Sequence, residues 1–234
     1  LVSDSEMFDL GGEVSSLGMS QISLGSHRVV AINFNRIALE ANGDKDKFYS
    51  ILEQRCESAA KILAAHKALL GDLEKKGYEP FITRGYIRFD RLFSTFGIAG
   101  IVEAVQNMKM NKVEGLKEIL HFVNTKAKEN SVKYKINVNI EQIPAESMAV
   151  RLHDVDKMIF KKEPSKTPLY ANQMCSLWED YSLTEKMKVD GALSQCYTGG
   201  SITHFNLADR PTPTQIDHII NTAIETGDEY FALN

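Results

Sequence analysis

The turn around Pro144 has the clearest potential for binding chemistry in this sequence. An alternating, strand-like segment ends just before Pro144, and a helical pattern begins just after it. The first N–H groups of a helix have no intrahelical partner and lie at the positive end of the helix dipole, so such a start favours an anion such as phosphate. Ser147 adds a hydroxyl donor, and Arg151 lies one turn further along the same face. The pattern predicts a phosphate site.

An ordinary helix start explains the same residues. In that interpretation Ala145 simply precedes the helix, and the carboxylate of Glu146 complements the dipole. A negative charge at Glu146 also opposes anion binding unless the carboxylate points away from the phosphates. Spacing alone leaves both interpretations open.

Two further places could contact a ligand. Gly199 and Gly200 allow a backbone to approach a ligand closely, and the hydroxyl of Ser201 could donate to it, although paired glycines are also typical of a plain turn. Asn33 lies in an otherwise apolar run, where a buried amide must find partners or cost roughly 1–3 kcal/mol. Asn33 therefore either satisfies the backbone or binds a ligand hydroxyl.

The cysteines do not indicate catalysis or metal binding. Cys56, Cys175 and Cys196 are far apart, and the sequence contains no C-x-x-C motif. No histidine or basic residue near them in sequence marks an activated thiolate. We therefore predict no catalytic residue and no metal ligand in this chain.

These residues require an α/β framework to position them. Strands are predicted at 27–34, 133–143, 193–197, 202–207 and 230–233. Helices are predicted at 44–76, from 97 to about 108, from about 111, at 145–156, near 181–188 and at 213–227, with loops at 1–26 and 78–97. In the last helix, five residues are predicted to face inward: Ile216, Ile219, Ile220, Ala223 and Ile224.

Composition limits the possible functions. A net charge of −4 and a pI near 5.9 argue against a nucleic-acid partner. No apolar run approaches the roughly 20 residues that span a bilayer, so no membrane role is expected. An odd number of cysteines without a signal-like start is typical of a reducing, cytoplasmic compartment.

In order along the chain, these stretches resemble the anaerobic, glycyl-radical ribonucleoside-triphosphate reductases. The resemblance runs through residues 25–40, 97–103, 143–147 with Arg151 and Asp156, 197–207 and 230–234. Each stretch is weak by itself, but five in the right order are fairly specific. Asn35 departs from the pattern, because the first stretch usually has proline there.

The resemblance implies a fold and a radical chemistry. The fold is a ten-stranded α/β barrel around a finger loop, of which this chain would form an internal part. A glycyl radical, installed by an iron–sulfur, S-adenosylmethionine-dependent activase, oxidises a finger-loop cysteine, and the thiyl radical abstracts the ribose 3′ hydrogen. The 2′-hydroxyl is replaced by hydrogen, with formate or a thiol system as reductant. The family also implies a structural zinc and a homodimer.

The resemblance also assigns roles. Asn33 matches a substrate-pocket asparagine, the segment 144–147 with Arg151 matches the phosphate cradle, and the segment 199–201 matches a substrate-side loop. The family's nucleotide-sensing region, radical cysteine, zinc module and glycyl-radical segment are expected outside residues 1–234, which we interpret as one domain. The isolated chain is therefore expected to be inactive. Two alternatives are a fragment of a glycyl-radical lyase and a non-catalytic nucleotide-binding or structural module.

Overall fold

The computed structural model of the protein describes residues 25–176, 179–207 and 209–233. Nearly all of the predicted N-terminal loop at 1–26 lies outside these ranges. The strands are β1 (Ser26–Asn33), β2 (Phe93–Ala99), β3 (Val138–Gln142), β4 (Thr203–Phe205) and β5 (Phe231–Leu233). The α-helices are α1 (Phe34–Ala41), α2 (Lys45–Lys75), α3 (Pro80–Thr83), α4 (Ile101–Asn107), α5 (Lys112–Tyr134), α6 (Glu146–Phe160), α7 (Leu183–Ser194) and α8 (Pro213–Thr226).

The first three strands form a parallel sheet in the order β1-β2-β3. Asn33 lies opposite Ala99, and Ile98 lies opposite Gln142, so the carboxyl ends of all three strands share one edge. The long helices α2 and α5 pack on each other and on this sheet, and their apolar residues form the main core. The central strand β2 is buried on both faces, as expected for a parallel sheet covered by helices.

The α/β class is confirmed, but the barrel is not formed by the described residues. Their sheets have three strands and two strands, the second being the parallel pair β4-β5. The chain between α7 and β4 adds one isolated parallel bridge to β3, from Gly200 to Glu141. None of the described helices is long and apolar enough to cross a membrane.

The long second helix was predicted correctly. Asp44 caps α2, because its side chain accepts a hydrogen bond from the N–H of Lys47 at 2.9 Å. Gly77 follows the helix with φ of +78°, a backbone conformation that favours glycine. Local capping signals therefore decided both ends of this element.

Several predictions of local structure were wrong. The segment 78–97 was predicted to be irregular, but it contains the start of β2, which is buried on both faces and so lacks alternation. The helix predicted from residue 97 begins only at Ile101, because β2 continues to Ala99. Lys133 and Tyr134 end α5, and the strand after them begins only at Val138. The predicted strand at 193–197 is instead the end of α7 and a turn, because a capping box at Ser182 starts a helix that runs to Ser194.

The buried face of the last helix, α8, is narrower than predicted. Ile219 and Ala223 are buried, as predicted, against β4, β5 and α7. Ile216, Ile220 and Ile224 are exposed, contrary to the prediction. Only one side of α8 has packing partners among the described residues, so the apolar residues on its other side stay exposed.

Packing of α7 against β4 and α8 buries two carboxyl groups. Asp190 is 7% exposed, and neither of its carboxylate oxygens has a hydrogen-bond partner among the described residues. Burial raises the pKa of Asp190 to about 7, and burial likewise raises the pKa of the neighbouring Asp228 to about 6. Asp228 accepts a hydrogen bond from the hydroxyl of Thr203 at 3.1 Å.

This burial predicts that stability falls as the pH rises. Between the ordinary aspartate pKa near 4 and the folded value near 7, the folded state holds a proton that the unfolded state has lost. The contribution of protonated Asp190 to the free energy of unfolding is fully present below about pH 4 and is lost as the pH rises through 7. Asp190→Asn should therefore raise the free energy of unfolding at pH 8 by on the order of 2 kcal/mol and change it little at pH 4.

Thermal unfolding followed by circular dichroism from pH 4 to pH 8 tests this expectation. Asp217→Asn, which changes an exposed aspartate of α8, is the matched control and should keep the wild-type slope. An Asp190→Asn variant with the same pH slope as the wild type would show that the buried carboxyl does not titrate as described.

Candidate functional site

Asn33 lies at the carboxyl end of β1 and caps the helix that follows. Its side-chain oxygen accepts a hydrogen bond from the N–H of Arg36 at 3.0 Å, and its side-chain nitrogen donates to Asp156 at 2.8 Å. The amide is half-buried. Asn33 therefore satisfies the backbone and keeps capacity to bind a ligand hydroxyl, because capping uses only part of its hydrogen-bonding capacity.

Asp156 is the buried centre of a polar cluster at this edge. It is fully buried and accepts hydrogen bonds from Asn33, from Arg36 Nε at 2.6 Å and from the hydroxyl of Tyr170 at 2.6 Å. Burial, and then the bond to Asp156, raise the pKa of Tyr170 far above its ordinary value. Tyr170 therefore acts here as a neutral donor.

Helix α6 crosses the carboxyl edge of the sheet. It begins beside the end of β3 and reaches the end of β1 through Asp156, ten residues after Glu146. Ten helical residues span about 15 Å, and strands 1 and 3 of a sheet lie about 10 Å apart. The helix therefore places Ser147 near one end of the edge and Asp156 near the other.

The turn before α6 has an uncapped helix start. Ala145 precedes the helix without a side-chain cap, and Pro144, Ser147 and Arg151 are exposed. The carboxylate of Glu146 accepts a hydrogen bond from the side chain of Asn172 at 3.1 Å, which holds this negative charge beside the segment 170–173. The structure thus leaves N–H groups, a hydroxyl and a guanidinium accessible at one turn.

The double glycine lies next to the end of β3. Gly199 donates to the carbonyl of Ile140 at 2.7 Å, and Gly200 accepts from the N–H of Gln142 at 3.2 Å. A Cβ at Gly199 would lie 2.8 Å from the Asn139 side chain, so close backbone approach explains this glycine. The side chain of Gln142 also accepts from the N–H of Ile202 at 3.0 Å, next to Ser201.

Two cavities lie near these elements. The one beside Pro144, Glu146 and Asn172 has a volume of only about 10 Å³, about the minimum for one water. This cavity is too small for a phosphate group, so only the exposed side of the turn has room for one. The larger cavity, about 490 Å³, lies between α7 and α8, with Arg210 and His218 in its lining, and contains none of the predicted site residues.

The cysteine thiols are buried or half-buried. Burial raises the pKa of both Cys56 and Cys175 to about 12, and burial also raises the pKa of Cys196. These thiols are protonated at neutral pH. Within the described ranges, no group of three His, Cys, Asp or Glu side chains is arranged to hold a metal ion.

The structure brings the predicted residues to one edge but adds partners that the sequence analysis missed. Gln142, Asn172 and Tyr170 link the predicted segments through hydrogen bonds. Asn172 lies in an irregular region, where no sequence pattern distinguishes it. Asp156 appeared only as part of the resemblance, and its contact with Asn33 joins residues 123 positions apart.

A parallel sheet with polar side chains and a helix start at its carboxyl edge defines an α/β protein of the kind in which ligands commonly bind at that edge. Comparison with known proteins narrows the class. A sequence profile described as anaerobic ribonucleoside-triphosphate reductase matches residues 4–234. This chain therefore belongs to the anaerobic ribonucleoside-triphosphate reductase family, and the lyase alternative is not favoured.

Solved structures agree with this family. The anaerobic ribonucleotide reductase from Thermotoga maritima with glycerol in the active site is 27% identical, with a TM-score of 0.85 over 95% of this chain and 38% of that one. The same enzyme in complex with dATP and CTP gives 27% identity and a TM-score of 0.85, over 94% of this chain and 38% of that one. The chain thus spans well under half of these proteins. No curated protein sequence matches it.

Proposed function

We propose that this chain forms part of the substrate pocket of an anaerobic ribonucleoside-triphosphate reductase and binds the nucleotide at the carboxyl edge of the sheet. One observation carries the proposal: Asn33, the start of α6 and the double glycine all lie at that edge. The solved structure with dATP and CTP supports a nucleotide ligand.

Each part of the edge has a chemical role in this proposal. The free N–H groups before and at Ser147, with its hydroxyl and Arg151, bind the phosphates, while the carboxylate of Glu146 is held by Asn172. Asn33 bonds a ribose hydroxyl through the amide hydrogen that Asp156 does not use. The segment 199–201 lines the substrate on the far side of β3.

The radical chemistry is assigned to parts of the enzyme other than these residues. Burial raises the pKa of all three thiols, and within the described residues no group of side chains is arranged to hold a metal ion. We propose that a glycyl radical, its activase, a structural zinc and a homodimeric partner belong to the whole enzyme. The purified chain, as one domain, should bind nucleotide without converting it to the deoxy form.

Isothermal titration of the purified chain with CTP tests the proposal. We expect saturable heat with CTP, weaker saturable heat with inorganic tripolyphosphate, and none with cytidine, because the phosphates supply most of the charge-assisted hydrogen bonds. A structural scaffold would show no saturable heat with any of the three. Formation of deoxycytidine triphosphate by the chain alone would contradict the inactive-chain part of the proposal.

A further inference from the structure

The carboxylate of Asp156 restricts how the Asn33 amide can be placed. The side-chain nitrogen of Asn33 donates to Asp156 Oδ2 at 2.8 Å, so the NH₂ end of the amide faces the carboxyl group. The oxygen of the amide then faces the N–H of Arg36, as observed. One N–H and one lone pair of Asn33 remain for another partner.

A gain in folding stability is a weak explanation for the buried polar cluster around Asp156. Burying a carboxylate costs several kcal/mol, and a buried ion pair commonly contributes little net stability. Asn33 would cap α1 equally well without Asp156, because capping uses only its oxygen. The cap holds only the oxygen of the Asn33 amide, whereas the bond to Asp156 also holds its NH₂ end and so determines the plane of the amide.

The same helix carries both ends of the proposed site. Asp156 and Ser147 are nine residues apart on α6, or about 13 Å along its axis. The bond from Asp156 to Asn33 therefore fixes β1 relative to the helix start that binds phosphate. Tyr170 donates to the same carboxylate oxygen, so the segment 170–173 is anchored there as well.

We infer that Asp156 is a positioning residue, which holds the Asn33 amide in the orientation that bonds the ribose of the bound nucleotide. This inference rests on the proposed function. It predicts that the loss of Asp156 affects the nucleoside part of the ligand and leaves binding of the phosphates unchanged. A merely structural Asp156 would affect both parts alike.

Titrations of Asp156 variants with CTP and with tripolyphosphate test the inference. Asp156→Ala should weaken CTP binding about tenfold and tripolyphosphate binding less than twofold, because it removes the acceptor that orients Asn33. Asp156→Asn keeps an oxygen for Asn33, while Arg36 can turn to solvent, so its affinity should stay within about threefold of the wild type. This conservative variant therefore serves as the rescue of CTP affinity.

Two controls separate positioning from packing. Asp154→Ala removes an exposed carboxylate from the same helix, outside the cluster, and should leave CTP affinity unchanged. In an Asn33→Ala background, Asp156→Ala should have no additional effect on CTP binding, since its target is gone. Equal losses for CTP and tripolyphosphate, or a full additional effect in that background, would overturn the inference.

A second measurement does not depend on the alanine variant folding. In the nuclear magnetic resonance spectrum of the wild-type chain, CTP should shift the side-chain NH₂ signals of Asn33, and tripolyphosphate should not. If the Asn33 NH₂ signals do not shift when CTP binds, the positioning role is refuted. If the wild type binds neither ligand, it is the proposed function that fails.

Discussion

Replacing Gly191 with alanine is expected to lower the free energy of unfolding by about 3 kcal/mol, the upper part of the usual range for overpacking a core. A Cβ at Gly191 would lie 2.2 Å from the carbonyl oxygen of Thr226 and 3.1 Å from the N–H nitrogen of Asp228. Both atoms belong to backbone, so α7 must move away from the end of α8. Urea unfolding followed by circular dichroism measures the change.

Gly71→Ala is the matched control for this prediction. Gly71 lies inside α2, and its added Cβ would meet only the ring of Phe89 at 3.7 Å, an ordinary contact. Because alanine stabilises a helix more than glycine does, the free energy of unfolding of this variant should rise by about 0.5–1 kcal/mol. Equal effects of the two substitutions would show that α7 and the end of α8 are not packed as described.

The double variant Ser147→Ala, Arg151→Ala is expected to abolish nucleotide binding. In the proposed site each side chain supplies a hydrogen bond to a charged phosphate, worth about 1.5–3 kcal/mol, so together they should account for at least about a hundredfold in affinity. Titration with CTP measures the loss, and tripolyphosphate should lose affinity equally. This equal loss distinguishes the phosphate end from the Asn33 end of the site.

The control for this pair keeps the change in charge but moves it elsewhere. Ser58 and Arg84 are exposed, outside the edge cluster, and their replacement by alanine should leave CTP affinity unchanged. Unchanged affinity in the Ser147, Arg151 variant would remove the phosphate assignment. An equal loss in the control would instead indicate non-specific attraction by net charge.

Local sequence signals predicted some elements well. Asp44 and Gly77 marked the ends of α2, and Pro144 marked the boundary between β3 and α6. In each case the decisive physics is local, since a cap or a fixed φ acts within one turn.

Elements whose form depends on tertiary packing were missed. β2 contains Ser94 and Thr95, yet both are fully buried between neighbouring strands and helices, so it shows neither alternation nor an apolar run. The exposed Ile216 and Ile220 show the opposite case, since an apolar pattern did not reveal which side of α8 has a partner. Helical periodicity predicts a face but cannot identify what covers it.

The arrangement of the candidate site could be predicted only in part, for the same reason. Asn33, Ser147 and Gly199 each stand beside a local break in the chain, where a sequence pattern can be read. The parallel register that brings them to one edge, and the contacts of Asp156 and Asn172 that join them, arise only in the folded chain.

A crystal structure of this chain with CTP tests the central claim most directly. We predict phosphate oxygens within about 3 Å of the N–H groups at the start of α6, and a ribose hydroxyl bonded to the amide of Asn33. An ordered CTP in the cavity between α7 and α8, with the turn at Pro144 empty, would contradict the account.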